Sequence, residues 1–343
     1  MKIVVLTTSY PRHDGDVAGV FVRDAVEALR AAGHEVAVVS PATFRHYGIA
    51  YGDGIVNNLR RRPWLALALP LLLVSYARAA RRATQGADVV HAHWLPSAIP
   101  ALATRVPFVL QLWGSDVALA SRLRRPSRAL VRHAAVVVCA STALAEDARA
   151  LGGRDVRVIP SGVDVPPQVS PPDDPPHALY VGRLSEEKGV RELADASSGL
   201  PLVVVGDGPL RSLFPEGRGF VPPAELGDYY RRAALLVAPS RREGYGVAVR
   251  EAMAHGRPVV ATSVGGLRDA VQDGVTGLAV APGSADALRA AMLRLLEDAE
   301  LRSRLGQAAR AYAEANLGWE QVVRRLVDAY IAASRGAPSD TRR

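Results

Sequence analysis

Apolar runs of four to seven residues recur along the chain, bounded by Gly, Pro or Ser and separated by stretches of helical period. Short runs of this kind read as buried strands, and apolar positions three and four apart read as helices packed on them. Their alternation predicts an α/β architecture with parallel sheets. In the first half the strand candidates are KIVVLTT, EVAVVSP, ADVVHAHW, PFVLQLW, AAVVVCAS and VRVIP. Between the first two, VFVRDAVEALRAAG sets Val22, Val26 and Leu29 on one helical face and ends at Gly33, which suits a C-terminal cap. The alternation restarts with ALYVGR, LPLVVVGDG, RGFVP, LLVAPS, PVVATSV and GLAVAP. From SADALRAAMLRLLEDAELRSRLGQAARAYAEAN onward the pattern is helical, with a last helix over 319–334 and a disordered tail over 335–343.

The segment VPPQVSPPDDPP holds six prolines and two acids, a composition that continues neither a helix nor a central strand. Residues 166–176 therefore read as a linker between one Rossmann-like domain over 1–165 and a second over 177–318. A length of 343 residues with 49% hydrophobic composition is enough for two packed cores. The single cysteine, Cys139, lies in an apolar run and reads as a buried thiol, so an internal disulfide is excluded. The opening MKIVVLTTSYPR is too short in apolar residues for a signal sequence and reads as a first strand, so a cytoplasmic protein is expected.

The net charge of +8 is unevenly placed: residues 1–165 carry 20 Arg and Lys against 12 Asp and Glu, and the rest of the chain is balanced. A basic chain can bind nucleic acid, but no helix-turn-helix, zinc or aromatic RNA-binding motif is present, so no nucleic-acid partner is expected. The longest apolar stretch, Trp64 to Ala77, is shorter than the ~20 residues of a membrane span and contains Pro70. Arg60, Arg61 and Arg62 precede it and Arg78, Arg81 and Arg82 close it, with Trp64 and Tyr76 as natural interface anchors. That arrangement suits a helix lying on an anionic membrane surface; the same Leu-rich run also suits a helix facing the core.

In EGYGVAVREAMAHGRPVV, Glu243 and Glu251 are separated by seven residues and a glycine-rich turn. A helix starting near Gly246 offers unpaired N–H groups and a positive dipole end to an anion. Glu251 then lies roughly 7.5 Å along the axis, at ~1.5 Å per residue. This separation suits a diphosphate on the helix start, a sugar near Glu243 and a ribose near Glu251. Upstream, YVGRLSEEKGV places Arg183 just after a strand and Lys188 five residues later, at the edge where open α/β sheets bind ligands. Two cations there can offset the charge that builds on a departing diphosphate. Lys188 is one of only two lysines among 42 basic residues, which singles out a place for a compact ammonium. The run VVVGDGP lacks the third glycine and following acid of a dinucleotide fingerprint. No His, Cys or Asp cluster has ligand spacing, so neither a metal nor another cofactor is expected.

Taken in order, GRLSEEKG, VVVGDGP, GFVP, PSRREGYGVAVREAMAHGRPVVAT, VGGLRDAVQDGVTGLAVAPG and GWEQ resemble glycosyltransferase family 4. SYPR, GVFVRDAVEAL, DVVHAHW, GSD and VIPSGVD resemble that family's N-terminal domain. The resemblance implies the GT-B fold, two Rossmann-like domains facing across a cleft, with the helix from Trp319 crossing back to the first. It implies a retaining hexosyltransferase that takes a sugar from a nucleoside-diphosphate sugar on the second domain and passes it to an acceptor on the first. At matching positions Arg183 and Lys188 would hold the diphosphate, Glu243 would contact the sugar and Glu251 the ribose hydroxyls. The backbone at Gly246 and Val247 would cap the phosphates, Val221 would meet the base through its backbone, and Gly19 would let the first domain approach the phosphates. The acceptor hydroxyl would attack on the leaving-group face, with the departing phosphate oxygen taking its proton. Similar enzymes often use lipid-linked or membrane-borne acceptors, which implies a glycan or glycolipid acceptor at an anionic inner membrane face.

One position departs from the family pattern. A histidine often precedes Gly-Ser-Asp, whereas QLWGSD has Trp113, whose indole has no basic nitrogen. His93, at the end of a strand, is the nearest candidate to take that catalytic place, ahead of His91. Asp116 reads either as an acceptor-orienting carboxylate or as a cap on the next helix. Related two-domain folds also serve sugar-nucleotide epimerases and phosphorylases. The set of Arg183, Lys188, Glu243 and Glu251 favours transfer.

Overall fold

A computed structural model describes residues 1–13, 16, 18–51, 55–114, 116, 120 and 122–335. The chain divides into two compact units, one of Met1–Ala140, Leu144–Pro160 and the segment from Val322 onward, the other of Ser141–Ala143 and Ser161–Gln321. The tail expected to be disordered lies, beyond Arg335, outside the described residues.

The first unit is built on six strands, β1 (Lys2–Leu6), β2 (Glu35–Val39), β3 (Val89–His93), β4 (Phe108–Leu112), β5 (Val136–Cys139) and β6 (Val156–Val158). They lie in the order β2-β1-β3-β4-β5-β6, every pairing parallel. β3 and β4 are buried at every position, as expected of central strands covered on both faces. Helix α1 (Val20–Ala31) buries Val22, Val26 and Leu29, the stripe its sequence period marks. Past its end Gly33 takes φ 86° and His34 N–H bonds back to the Leu29 carbonyl, which closes the helix.

After α2 (Ile55–Arg61), a 3₁₀ turn over Pro63–Ala68 runs into α3 (Leu69–Ala83). Pro70 falls in the first turn of α3, where its missing N–H has no intrahelical partner to lose. The whole helical run spans 21 residues and its most apolar 18-residue window has mean hydropathy 1.4, long enough by length and composition to cross a bilayer, and only 17% of that window is buried. The buried part of α3 is a narrow stripe of Leu72, Tyr76 and Ala80. Tyr76 stacks on Phe44 and donates to Ser97 Oγ at 3.1 Å, so it is a core residue and not the interface anchor its position suggests. Trp64, Leu67, Leu71 and Val74 stay exposed along the other side. Helix α4 (Leu95–Thr104) packs against α3 and adds exposed Ile99 and Leu102. Helices α5 (Arg124–His133) and α6 (Thr142–Ala150) complete this part of the chain.

The second unit carries β7 (Ala178–Val181), β8 (Leu202–Val205), β9 (Leu235–Ala238), β10 (Val259–Thr262) and β11 (Gly277–Val280) in the parallel order β11-β10-β9-β7-β8. Alternate residues feed two cores: Leu179, Leu236 and Val259 pack with Met253 and Ala309, while Tyr180, Leu235 and Val260 pack with Met292 and Leu305. The remaining helices are α7 (Val190–Ala196), α8 (Pro223–Arg232), α9 (Val247–Ala254), α10 (Leu267–Ala270), α11 (Ala285–Glu297), α12 (Ala299–Asn316) and α13 (Trp319–Arg335).

Two expectations are corrected here. RGFVP is not a strand: Arg218 N–H and the Gly219 carbonyl each bond to the β8 edge, but the following Pro222 and Pro223 supply no N–H and the ladder stops. The proline-rich segment is not a free linker, because it is fastened to the second unit. Its Pro166 carbonyl accepts from Arg310, its Ser170 carbonyl from Arg257, and Asp173 pairs with Arg232 at 2.8 Å. The chain passes between units at Pro160, and α13 belongs to the first unit from Val322 on.

Candidate active site

In the second unit the loop after β9 carries Glu243 into the glycine-rich turn, and Gly246 caps α9 with φ 84°, a left-handed conformation that a side chain would strain. The helix begins at Val247, which is exposed, and no side chain or backbone acceptor among the described residues takes the N–H of Val247 or Ala248. Lys188 ends the 3₁₀ turn after β7 and reaches Glu243 Oε2 with Nζ at 2.5 Å. Both side chains remain partly accessible. Arg183, exposed on the same loop, has no side-chain partner among the described residues, while its carbonyl accepts from Tyr180 Oη at 2.9 Å.

Glu251 is the fifth residue of α9, and Tyr230 of α8 donates to its Oε2 at 2.6 Å. Burial first, then the Glu251 charge, push the Tyr230 hydroxyl well above its ordinary range, so it stays a donor and fixes one carboxylate oxygen. Val221, half-buried on the same core, follows the two backbone bonds that hold residues 218 and 219 beside β8. Arg183, Lys188, Glu243, Gly246, Val247, Glu251 and Val221 all lie in this unit.

The first unit holds the others. Gly19 starts α1 at φ 73°, and a Cβ there would lie 2.3 Å from the Ser9 carbonyl oxygen, so only glycine fits. Asp116 is 3% exposed and accepts from Leu95 N–H and Trp113 N–H, both at 2.8 Å. It therefore ties the ends of β3 and β4 and caps α4, the helix before it in sequence; the residues just after it, the place of the next-helix cap expected from sequence, lie largely outside the described residues. Burial raises its carboxyl to about 6 against those two bonds.

His93 ends β3 fully inside, and Trp113 Nε1 donates to its Nδ1 at 3.1 Å. An indole N–H only donates, so Nδ1 is unprotonated and the neutral ring carries its proton on Nε2. Burial, then neighbouring His91, hold the His93 pKa well below its ordinary value. His93 can thus offer a hydrogen bond but not readily take a proton, which narrows the expectation that it replaces the missing histidine. His91 bonds through Nδ1 to Tyr330 Oη of α13 at 2.8 Å and is a structural residue of the first core.

Two family models match the chain, Glycosyltransferase Family 4 over residues 18–166 and Glycosyl transferases group 1 over 175–298. A protein named as a teichuronic acid biosynthesis glycosyltransferase, TuaC of Bacillus subtilis, is 30% identical over 86% of this chain and 89% of its own. The chain belongs to glycosyltransferase family 4. Among solved structures, sucrose-phosphate synthase from Thermosynechococcus elongatus shares the fold with TM-score 0.79 at 24% identity, covering 96% of this chain and 98% of that one. Anabaena Alr3699/HepE, in complex with UDP-glucose, shares it with TM-score 0.72 at 21% identity, over 97% of this chain and 100% of that one.

Sequence reasoning about this glycosyltransferase missed Tyr230 and Arg250, which falls between the two glutamates in sequence and is buried. It also missed Trp94, which closes β3 at φ 64° and ψ 151°, a strained conformation for a side-chain-bearing residue, with its ring 5.7 Å from Phe21. Among the described residues no group of three or more His, Cys, Asp or Glu side chains converges on a point.

Proposed function

We propose that this glycosyltransferase moves a hexosyl group from a nucleoside-diphosphate sugar to an acceptor hydroxyl with retention of anomeric configuration. The observation that carries the reading is the pairing of Lys188 with Glu243 near the start of α9, with Arg183 on the same loop as Lys188 and without a side-chain partner among the described residues, and Glu251 held by Tyr230 farther along. In this reading the diphosphate lies on the first N–H groups of α9 at Gly246 and Val247, and Arg183 and Lys188 draw off the charge of the leaving group without a metal. Glu251 takes the ribose hydroxyls, the backbone at Val221 the base, and Glu243, oriented by Lys188, the sugar. The acceptor hydroxyl attacks on the leaving-group face and gives its proton to the departing phosphate oxygen. A His93 that can offer a hydrogen bond but does not readily take a proton fits this scheme, because the first unit then has only to orient the acceptor.

We further propose that the acceptor is a lipid-linked or membrane-borne glycan and that the enzyme works peripherally on the cytoplasmic face of a membrane. Exposed Trp64, Leu67, Leu71 and Val74, with Ile99 and Leu102 beside them, support this, as do exposed arginines at both ends of the stretch. The deciding experiment supplies purified protein with a panel of nucleotide sugars, UDP-glucose first, and a lipid-extract acceptor. Released nucleotide together with an α-linked product from an α-linked donor is expected. Inversion, or an epimerised donor with no glycoside formed, overturns the reading.

A further inference from the structure

Arg250 falls between the two glutamates in sequence and is 2% exposed. No carboxylate pairs with it among the described residues. Its Nη1 donates to the Tyr245 carbonyl and, at 3.4 Å, to the Gly246 carbonyl, and its Nη2 donates to the Gly266 carbonyl at 3.1 Å. The guanidinium lies 3.8 Å from the centroid of the Tyr245 ring, whose hydroxyl is anchored on the Ser161 carbonyl at 2.6 Å. Its Nε is buried and has no hydrogen-bond partner among the described residues.

A buried cation with no counter-charge is unfavourable unless its surroundings compensate, and carbonyl dipoles with one ring face do so only in part. The identity of those carbonyls matters. The Tyr245 carbonyl shares a planar peptide group with Gly246 N–H, and the Gly246 carbonyl shares one with Val247 N–H. These are the N–H groups at the start of α9. A cation on the oxygen end of an amide draws electron density toward it and strengthens the N–H at the other end as a donor. The bond to Gly266 ties the same guanidinium to the turn before α10, so the two peptide planes are held against rotation.

We propose that Arg250 is a positioning residue for the donor: it orients and polarises the two peptide groups whose N–H bonds receive the diphosphate, and the bound diphosphate supplies the negative charge that this buried cation lacks. The inference rests on the diphosphate reading given above. Calorimetry compares wild type, Arg250→Gln and Arg250→Lys with a panel of nucleoside diphosphates and the matching free nucleosides. Arg250→Gln binds the preferred diphosphate about tenfold to a hundredfold more weakly, binds the nucleoside within roughly threefold of wild type, and keeps full stoichiometry. Arg250→Lys, which returns the charge without the fork, recovers part of the loss. Should Arg250→Gln not fold, Arg250→Lys carries the test, with a loss confined to the diphosphate supporting the role. Equal losses for diphosphate and nucleoside, or no loss, overturn it and leave Arg250 a packing residue. A wild type that binds none of the diphosphates overturns the donor reading itself, and the inference with it.

Discussion

Glu243 and Glu251 are the same residue type on one turn and helix, but their partners separate them: one faces an ammonium, the other a phenol. Removing Glu243 frees Lys188, so Glu243→Ala is expected to lower transfer while nucleoside diphosphate affinity holds or rises. Glu251→Ala is expected to weaken nucleotide binding by about 1–3 kcal/mol, the loss of a charged acceptor. Calorimetry with free nucleotide tests both, and the reverse pattern would exchange the two roles. Arg183→Ala and Lys188→Ala should each slow donor turnover by about ten- to a thousandfold, ~1.4–4 kcal/mol of leaving-group stabilisation; wild-type rates in both remove the diphosphate assignment. His91 gives a pH signature. Burial holds it down to about 4, with Gln111 acting the other way. The unfolded chain, titrating near ~6.5, takes up a proton that the fold refuses. Stability is therefore full above that range and drains as pH falls toward 4. His91→Gln should flatten this acid limb in urea midpoints taken at neutral and acid pH, and an unchanged slope places the effect elsewhere. Asp116, raised by burial, runs the opposite way, stabilising at low pH and less so as pH rises through about 6. At this scale the pairing of Lys188 with Glu243 beside a glycine-capped helix was legible because a rare lysine, a glycine-rich turn and spaced glutamates stand out in one dimension. Tyr230 and Arg250 were not, since their meaning comes from a fold that brings residue 230 to 251 and residue 266 to 250.

The helical run over Pro63–Ala83 shows what period alone leaves open. Its sequence fits burial or an interface equally, and only the fold shows a stripe of Leu72, Tyr76 and Ala80 inside with the rest outward. If the outward side meets lipid, the protein floats with vesicles rich in anionic lipid and not with neutral ones. Flotation should fall steeply with salt as the Debye length shrinks from ~10 Å at 0.1 M to ~3 Å at 1 M. Arg60, Arg61 and Arg62 changed together to Gln should reduce flotation and leave nucleotide affinity alone; flotation indifferent to salt and to these changes ends the membrane reading. The strands were legible because buried parallel strands are continuous apolar runs, and RGFVP failed because a run that short is ruled by its flanking prolines. The long helical stretch near the C-terminus reads as one piece, yet Asp298 splits it, ending α11 and accepting Leu301 N–H at 2.8 Å to start α12.

For the whole molecule, two Rossmann-like units follow from the restart of the strand pattern, but ownership of the last helix does not follow from adjacency. Helix α13 comes directly after the second unit in sequence and buries Val322, Val323, Leu326, Ala329, Tyr330 and Ala333, with Tyr330 on His91 of the first. A protein cut after Gln321 should keep diphosphate affinity and lose several kcal/mol of first-unit stability, at about 1.5–3 kcal/mol per large apolar side chain uncovered. Proteolysis of the first unit at wild-type rates would show that α13 adds nothing to that core. The separation of 239 positions from His91 to Tyr330 also sets an order of events on the ribosome. At roughly 5–20 residues per second, the segment bearing His91 emerges well before the tyrosine that completes its hydrogen bond. The second unit, built almost wholly from Ser161–Gln321, has all its residues synthesised before the first does. The half of the chain made first is thus the half finished last, and throughout that interval its apolar face is open to chaperones and to neighbouring nascent chains.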